Sequence, residues 1–245
     1  MNLSPKYVFM AGGRANRMGR GVKSVDKTKG LMKIPTPDGK SEETLIGRTL
    51  RLLRTIEKFD DSEILFCVGY KKELVESSYP TSQFLTTYDP DDPQDLVPAL
   101  LDLVEATDDS QNLVIFLADA VWSKKALIHF LKVREDASIV LYHGKKTDYS
   151  DIYAIGINGG PGREMIRMVN REISLPVIAG EIRWKGHDKV PIRFSRASTM
   201  EQWLDLNKIR GKARIYQSAA VDDIDWDVDH SKISQGILRG VYGPD

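Results

Sequence analysis

Three short apolar runs constrain this chain more than any other feature: Tyr7-Val-Phe-Met10, Glu63-Ile-Leu-Phe-Cys-Val-Gly69 and Asn112-Leu-Val-Ile-Phe-Leu-Ala118. Each is apolar at successive positions, the pattern of a strand buried on both faces. Between them lie segments of helical periodicity. One begins at Ser41-Glu-Glu, with Ser41 as the N-cap, and carries Leu45, Ile46, Thr49, Leu50, Leu53 and Ile56 through Phe59. A brief helix follows Gly69-Tyr70-Lys71-Lys72-Glu73, another carries Leu96, Ala99, Leu100, Leu103 and Val104, and a fourth is capped by Ser123 before Leu127, Phe130 and Leu131. Strands alternating with helices predict βαβ units, hence a mainly parallel sheet between helical layers. Ligands of such sheets sit beyond the carboxyl ends of the strands, where Gly12, Gly69 and Asp119 fall.

The second half is less regular. Ala137–Tyr142 and Ile152–Ile157 read as strands in direct succession, which predicts antiparallel additions, and Pro161–Asn170 reads as a helix. Thr199–Lys208 reads as helical and Arg214–Gln217 as a strand. From Asp222 to Asp229 five aspartates interleave with Ile224, Trp226 and Val228. Held extended, that segment puts Asp223, Asp225, Asp227 and Asp229 on one face.

Lysine and arginine number 35 and so do aspartate and glutamate, so no broad electrostatic footprint for nucleic acid or an anionic membrane is expected. No stretch approaches the ~20 apolar residues that span a bilayer. The single cysteine, Cys67, lies in an apolar run, reads as core, and makes a reducing, cytoplasmic setting the expectation.

After the first strand come Ala11-Gly12-Gly13, then Arg14, Arg17, Arg20 and Lys23, and finally Lys29-Gly30-Leu31. Paired glycines opening from a buried strand into a cationic loop suit the binding of anionic oxygens through backbone N–H groups and side-chain charge. The spacing matches neither a Walker loop nor the Gly-x-Gly-x-x-Gly dinucleotide fingerprint.

The order Ala11-Gly12-Gly13-x-x-x-Arg17-Met18-Gly19, then Lys29-Gly30-Leu31, resembles the nucleotidyltransferases that activate sugar-phosphates and related alcohols with a nucleoside triphosphate. Val68-Gly69-Tyr70 through Leu74, Phe116-Leu-Ala-Asp119 and Asp223-Ile224-Asp225 resemble later motifs of the same superfamily, in the same order. The opening motif is also similar to that of the molybdenum-cofactor guanylyltransferases. The downstream motifs are more similar to the sugar-phosphate and choline-phosphate branch. Two positions depart from the pattern: Thr28 stands where the family has proline before Lys29, and Asp95-Leu96-Val97 stands where it often has Gly-Thr-Ala. Ala120-Val-Trp122 is also an unusual neighbourhood for an acceptor in that family.

The resemblance implies a single α/β domain over residues 1–245 with a three-layer, Rossmann-like mixed sheet of the nucleotide-diphospho-sugar transferase type. It divides into a nucleotide-binding half (1–135) and an acceptor-binding half (136–245) whose end carries a metal-binding segment. The implied nucleotide contacts are Met10, Ala11, Gly12, Gly13, Arg14, Met18 and Gly19. Arg17 is expected on the departing pyrophosphate and Lys29 on the α-phosphate. Mg²⁺ (or Mn²⁺) is expected on Asp119 and Asp225, two carboxylates from distant segments, with phosphate oxygens and water completing the shell. The residues alone leave Asp223 and Asp227 open as alternatives; the resemblance selects Asp225.

The implied partners are an NTP and a small phosphorylated acceptor. Two other readings share these features: a glycosyltransferase that consumes a nucleotide-sugar on the related fold, and a nucleotide-binding regulator without catalysis. Pyrophosphate release separates both from a nucleotidyltransferase. His129, His143, His187 and His230 show no metal-ligand spacing, and His129 reads as structural.

Overall fold

A computed structural model describes residues 4–12, 28–87, 96–144, 152–173, 212–218, 221–223 and 227–242. The central sheet has seven strands: β1 (Lys6–Met10), β4 (Ile64–Val68), β5 (Gln83–Thr86), β6 (Leu113–Leu117), β8 (Ile139–Gly144), β9 (Ile152–Ile157) and β10 (Ala213–Ser218), in the spatial order β10-β8-β9-β6-β1-β4-β5. β9 runs antiparallel to β6 and to β8, and the other pairings are parallel. The sheet is therefore mixed and mainly parallel, with its antiparallel member in the irregular second half, as expected from direct strand succession.

Two small sheets flank the main one. β2 (Lys33–Pro35) pairs with β3 (Glu42–Thr44), and β7 (Ala120–Trp122) pairs with β11 (Val221–Asp223), both antiparallel. Helices α1 (Leu45–Ile56), α2 (Lys72–Ser78) and α4 (Lys124–Val133) pack on one sheet face, α3 (Leu96–Ala106) and α5 (Gly159–Ile173) on the other. That arrangement is three-layered. α6 (Asp227–Leu238) closes a smaller core in which its Ile233 and Ile237 meet Met32, Ile34 and Val121.

Cross-strand register explains how one face is filled. Phe84, Phe66, Phe9 and Phe116 align across β5, β4, β1 and β6, with neighbouring rings stacked at centroid separations of 5.7, 5.4 and 5.5 Å. The row continues through Ala154, Tyr142 and Tyr216. Its one small member, Ala154, lies between two rings that both touch Trp122, edge-on to Phe116 at 5.7 Å and stacked with Tyr142 at 5.6 Å. Trp122 is completely buried, so the unusual aromatic after Asp119 serves the core and not an acceptor.

Two sequence expectations are corrected. Helix α1 begins at Leu45 and not at Ser41: Glu42–Thr44 form β3, and the Thr44 side chain caps the helix by accepting from Gly47 N at 2.9 Å. Glu43, expected in a helical first turn, instead accepts from Arg51 Nε and Nη2 at 2.9 and 2.8 Å. Among the described residues the acidic segment is extended at Val221–Asp223 and helical from Asp227, where α6 begins, and aspartates in a first turn favour a helix through the positive end of its dipole. Ser123 caps α4 as expected, accepting from Ala126 N at 3.1 Å. Thr199–Lys208 lies outside the described residues.

Candidate active site

The strand ends do converge. Met10 aligns with Cys67 on one side and with Leu117 on the other, so two residues further on Gly69, Gly12 and Asp119 stand in a row across β4, β1 and β6. Ala11 N donates to Cys67 O at 2.8 Å and Ala118 N to Met10 O at 3.3 Å, extending the ladder to the rim. Met10 and Ala11 have buried side chains, so what they present to a ligand is main chain. The Cys67 thiol is pushed up to about 12 by burial, which makes it an inert core residue.

The principal contact of the rim joins residues 90 positions apart: Lys29 Nζ donates to Asp119 Oδ2 at 3.1 Å. Lys29 opens a 3-10 turn, Lys29–Leu31, closed by Leu31 N to Thr28 O at 3.1 Å and tied to the helix start by Leu45 N to Met32 O at 3.1 Å. Gly30 lets that turn sit where it does. A Cβ at Gly30 would lie 2.7 Å from Ile46 Cδ1 and 2.9 Å from Ala118 Cβ, so only glycine fits between α1 and the end of β6. The close approach puts Lys29 beside the residue that follows Ala118, which is Asp119. Their side chains retain 14% and 25% exposure, enough for both to meet a ligand.

Asp119 is also where the late acidic segment returns. In the antiparallel β11/β7 pair Asp223 lies opposite Ala120, next to Asp119 in the chain. Asp225 lies outside the described residues, as do Gly13, Arg14, Arg17, Met18 and Gly19. Asp227 opens α6. Asp119, a partly exposed carboxylate at a strand end, is a hard oxygen donor of the kind Mg²⁺ takes together with phosphate oxygens and water, while among the described residues no group of three or more potential metal ligands gathers. Such a carboxylate fits an ion that draws its other ligands from a substrate.

On the other side of Gly12, the turn after β4 holds Lys71 in the left-handed region at φ 52°, a conformation that costs an L-residue ~1–2 kcal/mol. Its ammonium lies 5.6 Å from the Tyr70 ring centroid. His143, at the C-terminal end of β8, is fully buried and its imidazole is depressed to about 4 by desolvation. His129 donates to or accepts from the Tyr142 hydroxyl at 3.0 Å and is structural, as expected. Sequence reading noted the Lys29-Gly30-Leu31 motif but missed what Gly30 does. Its packing partners, Ile46 and Ala118, carry no signal of their neighbourhood in the sequence.

The mixed, mainly parallel sheet thus carries Gly12 and Asp119 beyond its strand ends, with Lys29 paired to that aspartate. In a comparison with family models, residues 7–224 match the MobA-like NTP transferase domain, and the chain belongs to that family of nucleotidyltransferases. Among solved structures, it is similar to a nucleotidyl transferase from Methanothermobacter at 13% identity and TM-score 0.62, covering 95% of this chain and 97% of that one. It is also similar to the inositol-1-phosphate CTP transferase from T. maritima at 13% identity and TM-score 0.61, covering all of both chains. Comparison with curated proteins gives no match. No helix among the described residues is long and apolar enough to cross a membrane.

Proposed function

We propose that this nucleotidyltransferase is metal-dependent and transfers a nucleoside monophosphate from an NTP to a phosphorylated sugar or alcohol. A phosphate oxygen of the acceptor bonds to the α-phosphorus, the bond from that phosphorus to the β-phosphate bridging oxygen breaks, and pyrophosphate leaves. Both reactants are anions, so the site must neutralise charge and hold the two in line. The observation that carries the reading is the Lys29–Asp119 pair at the convergence of strand ends.

In this reading Gly12 and the glycine that follows it supply backbone N–H groups to the triphosphate, and the guanidinium groups of Arg17 and Arg14 supply forked donors and positive charge further along the loop. Lys29 binds the α-phosphate. Asp119 and Asp225 would hold Mg²⁺ or Mn²⁺, which supplies charge neutralisation to the phosphate oxygens. Residues 136–245 supply the acceptor pocket. The similarity to an inositol-phosphate CTP transferase supports a small phosphorylated acceptor.

The test is pyrophosphate release by the wild-type chain and by Arg17→Ala, Lys29→Met and Asp119→Asn. Each substitution should lower kcat/KM by roughly 10²–10³ or more, the usual cost of removing one preorganised charge at such a centre. Unchanged release in a folded Asp119→Asn protein would overturn the proposal.

A further inference from the structure

Lys29 sets a cation against Asp119. The ammonium sits 3.1 Å from Oδ2, and both side chains are largely buried, so solvent and salt screen the pair less than an exposed one. The backbone beside Lys29 is held close to α1 and the end of β6, since even a Cβ at Gly30 would overlap Ile46 and Ala118. What can move is the four-carbon stem, which carries a compact point charge able to swing between anions. We infer that Lys29 acts as a built-in counter-cation that excludes a free divalent ion from Asp119, so the chain takes up its metal only together with a triphosphate. This rests on the nucleotidyltransferase reading of the site.

The physical reason is like-charge repulsion. A dication coordinated by Asp119 would stand within a few ångströms of the ammonium, in a setting where charges interact more strongly than in water. A triphosphate resolves the conflict. Its oxygens would take over Lys29 and release the Asp119 carboxylate, which would then hold the metal while the metal supplied charge neutralisation to the triphosphate. The two ligands are then positively coupled, each raising the affinity of the other by the same factor.

The experiment is a titration of the intact chain with Mn²⁺ alone, following free Mn²⁺ by electron paramagnetic resonance. Wild type and Lys29→Arg, which keeps the cation, should bind Mn²⁺ weakly. Lys29→Met should bind at least tenfold more tightly, and the gain should vanish in Lys29→Met/Asp119→Asn. If Lys29→Met does not fold, judged by its thermal transition, Lys29→Gln takes its place. Equal Mn²⁺ affinity in wild type and the neutral variant would overturn the inference, and so would a gain that survives loss of Asp119. Because no nucleotide is present, the outcome is independent of the functional assay. A gain in Lys29→Met with no pyrophosphate release by the wild-type chain would uphold the exclusion and remove the transferase reading; release by the wild-type chain without the gain would do the reverse.

Discussion

Replacing Gly30 by alanine tests how the lysine is brought to the aspartate. The backbone of Gly30 is not in the left-handed region, so alanine is allowed there by conformation and the objection is steric. A new Cβ at 2.7 Å from Ile46 Cδ1 and 2.9 Å from Ala118 Cβ is about 1 Å inside the separation at which carbon atoms attract. The end of Ile46 can rotate away; the Cβ of Ala118 cannot, so α1 or the turn must shift.

Overpacking of this kind costs ~1–3 kcal/mol, offset by ~0.4–1 kcal/mol from the less flexible unfolded chain. A net loss of about 1–2 kcal/mol follows, or roughly 2–8 °C in Tm for a chain of this size. Ile46→Val removes the nearest contact. Combined with Gly30→Ala it should recover ~0.5–1 kcal/mol relative to the sum of the two single losses, measured by urea unfolding of the four proteins. Additivity to within ~0.3 kcal/mol would refute the steric account.

Three further substitutions probe the core. Arg163 is fully buried and donates to Val104 O, Thr107 O, Thr107 Oγ1 and Gln111 O at 2.8–3.2 Å, closing the C-terminal end of α3. Arg163→Met should therefore cost ~3 kcal/mol or more in denaturant unfolding, since it strands buried acceptors. His143 is held neutral in the folded state, with its pKa lowered to about 4 from an ordinary 6.5. Its contribution is fully present above pH 6.5 and lost as pH falls towards 4, by roughly 3 kcal/mol, so the Tm of wild type should fall more steeply over that window than that of His143→Leu. The Thr28 hydroxyl is buried with no hydrogen-bond partner among the described residues and makes no cap bond to its own turn, so Thr28→Val should raise stability by ~1 kcal/mol, seen as a higher Tm.

The parts of the fold legible in the sequence are those with unbroken local patterns. β1 and β4 are buried along their whole length and β6 at all but its last residue, and near-uniform burial writes itself as an unbroken apolar run. The rim follows from these strands alone, because chain direction decides which end carries Gly12, Gly69 and Asp119. β5 at the sheet edge was not legible: Gln83–Thr86 is only partly buried and shows no apolar run. The β2/β3 hairpin was missed for a related reason, its residues Lys33 and Glu42 being solvent-facing.

Of the site, the residue types were visible but not their pairing. Lys29 and Asp119 meet through a long-range packing contact at Gly30, and no periodicity records such a contact. The helical start at Asp227 had a local signal in its acidic first turn. Alternation with apolar residues outweighed it, since short segments satisfy both periods.

The most direct measurement is inorganic pyrophosphate formed when the wild-type chain meets each of the four NTPs, Mg²⁺ and a panel of phosphorylated sugars and alcohols. The account predicts one NTP–acceptor pair that yields pyrophosphate and a nucleoside-diphospho product in equal amounts, and none without acceptor. Consumption of a preformed nucleotide-sugar with no pyrophosphate, or tight NTP binding with no product from any acceptor, would contradict it.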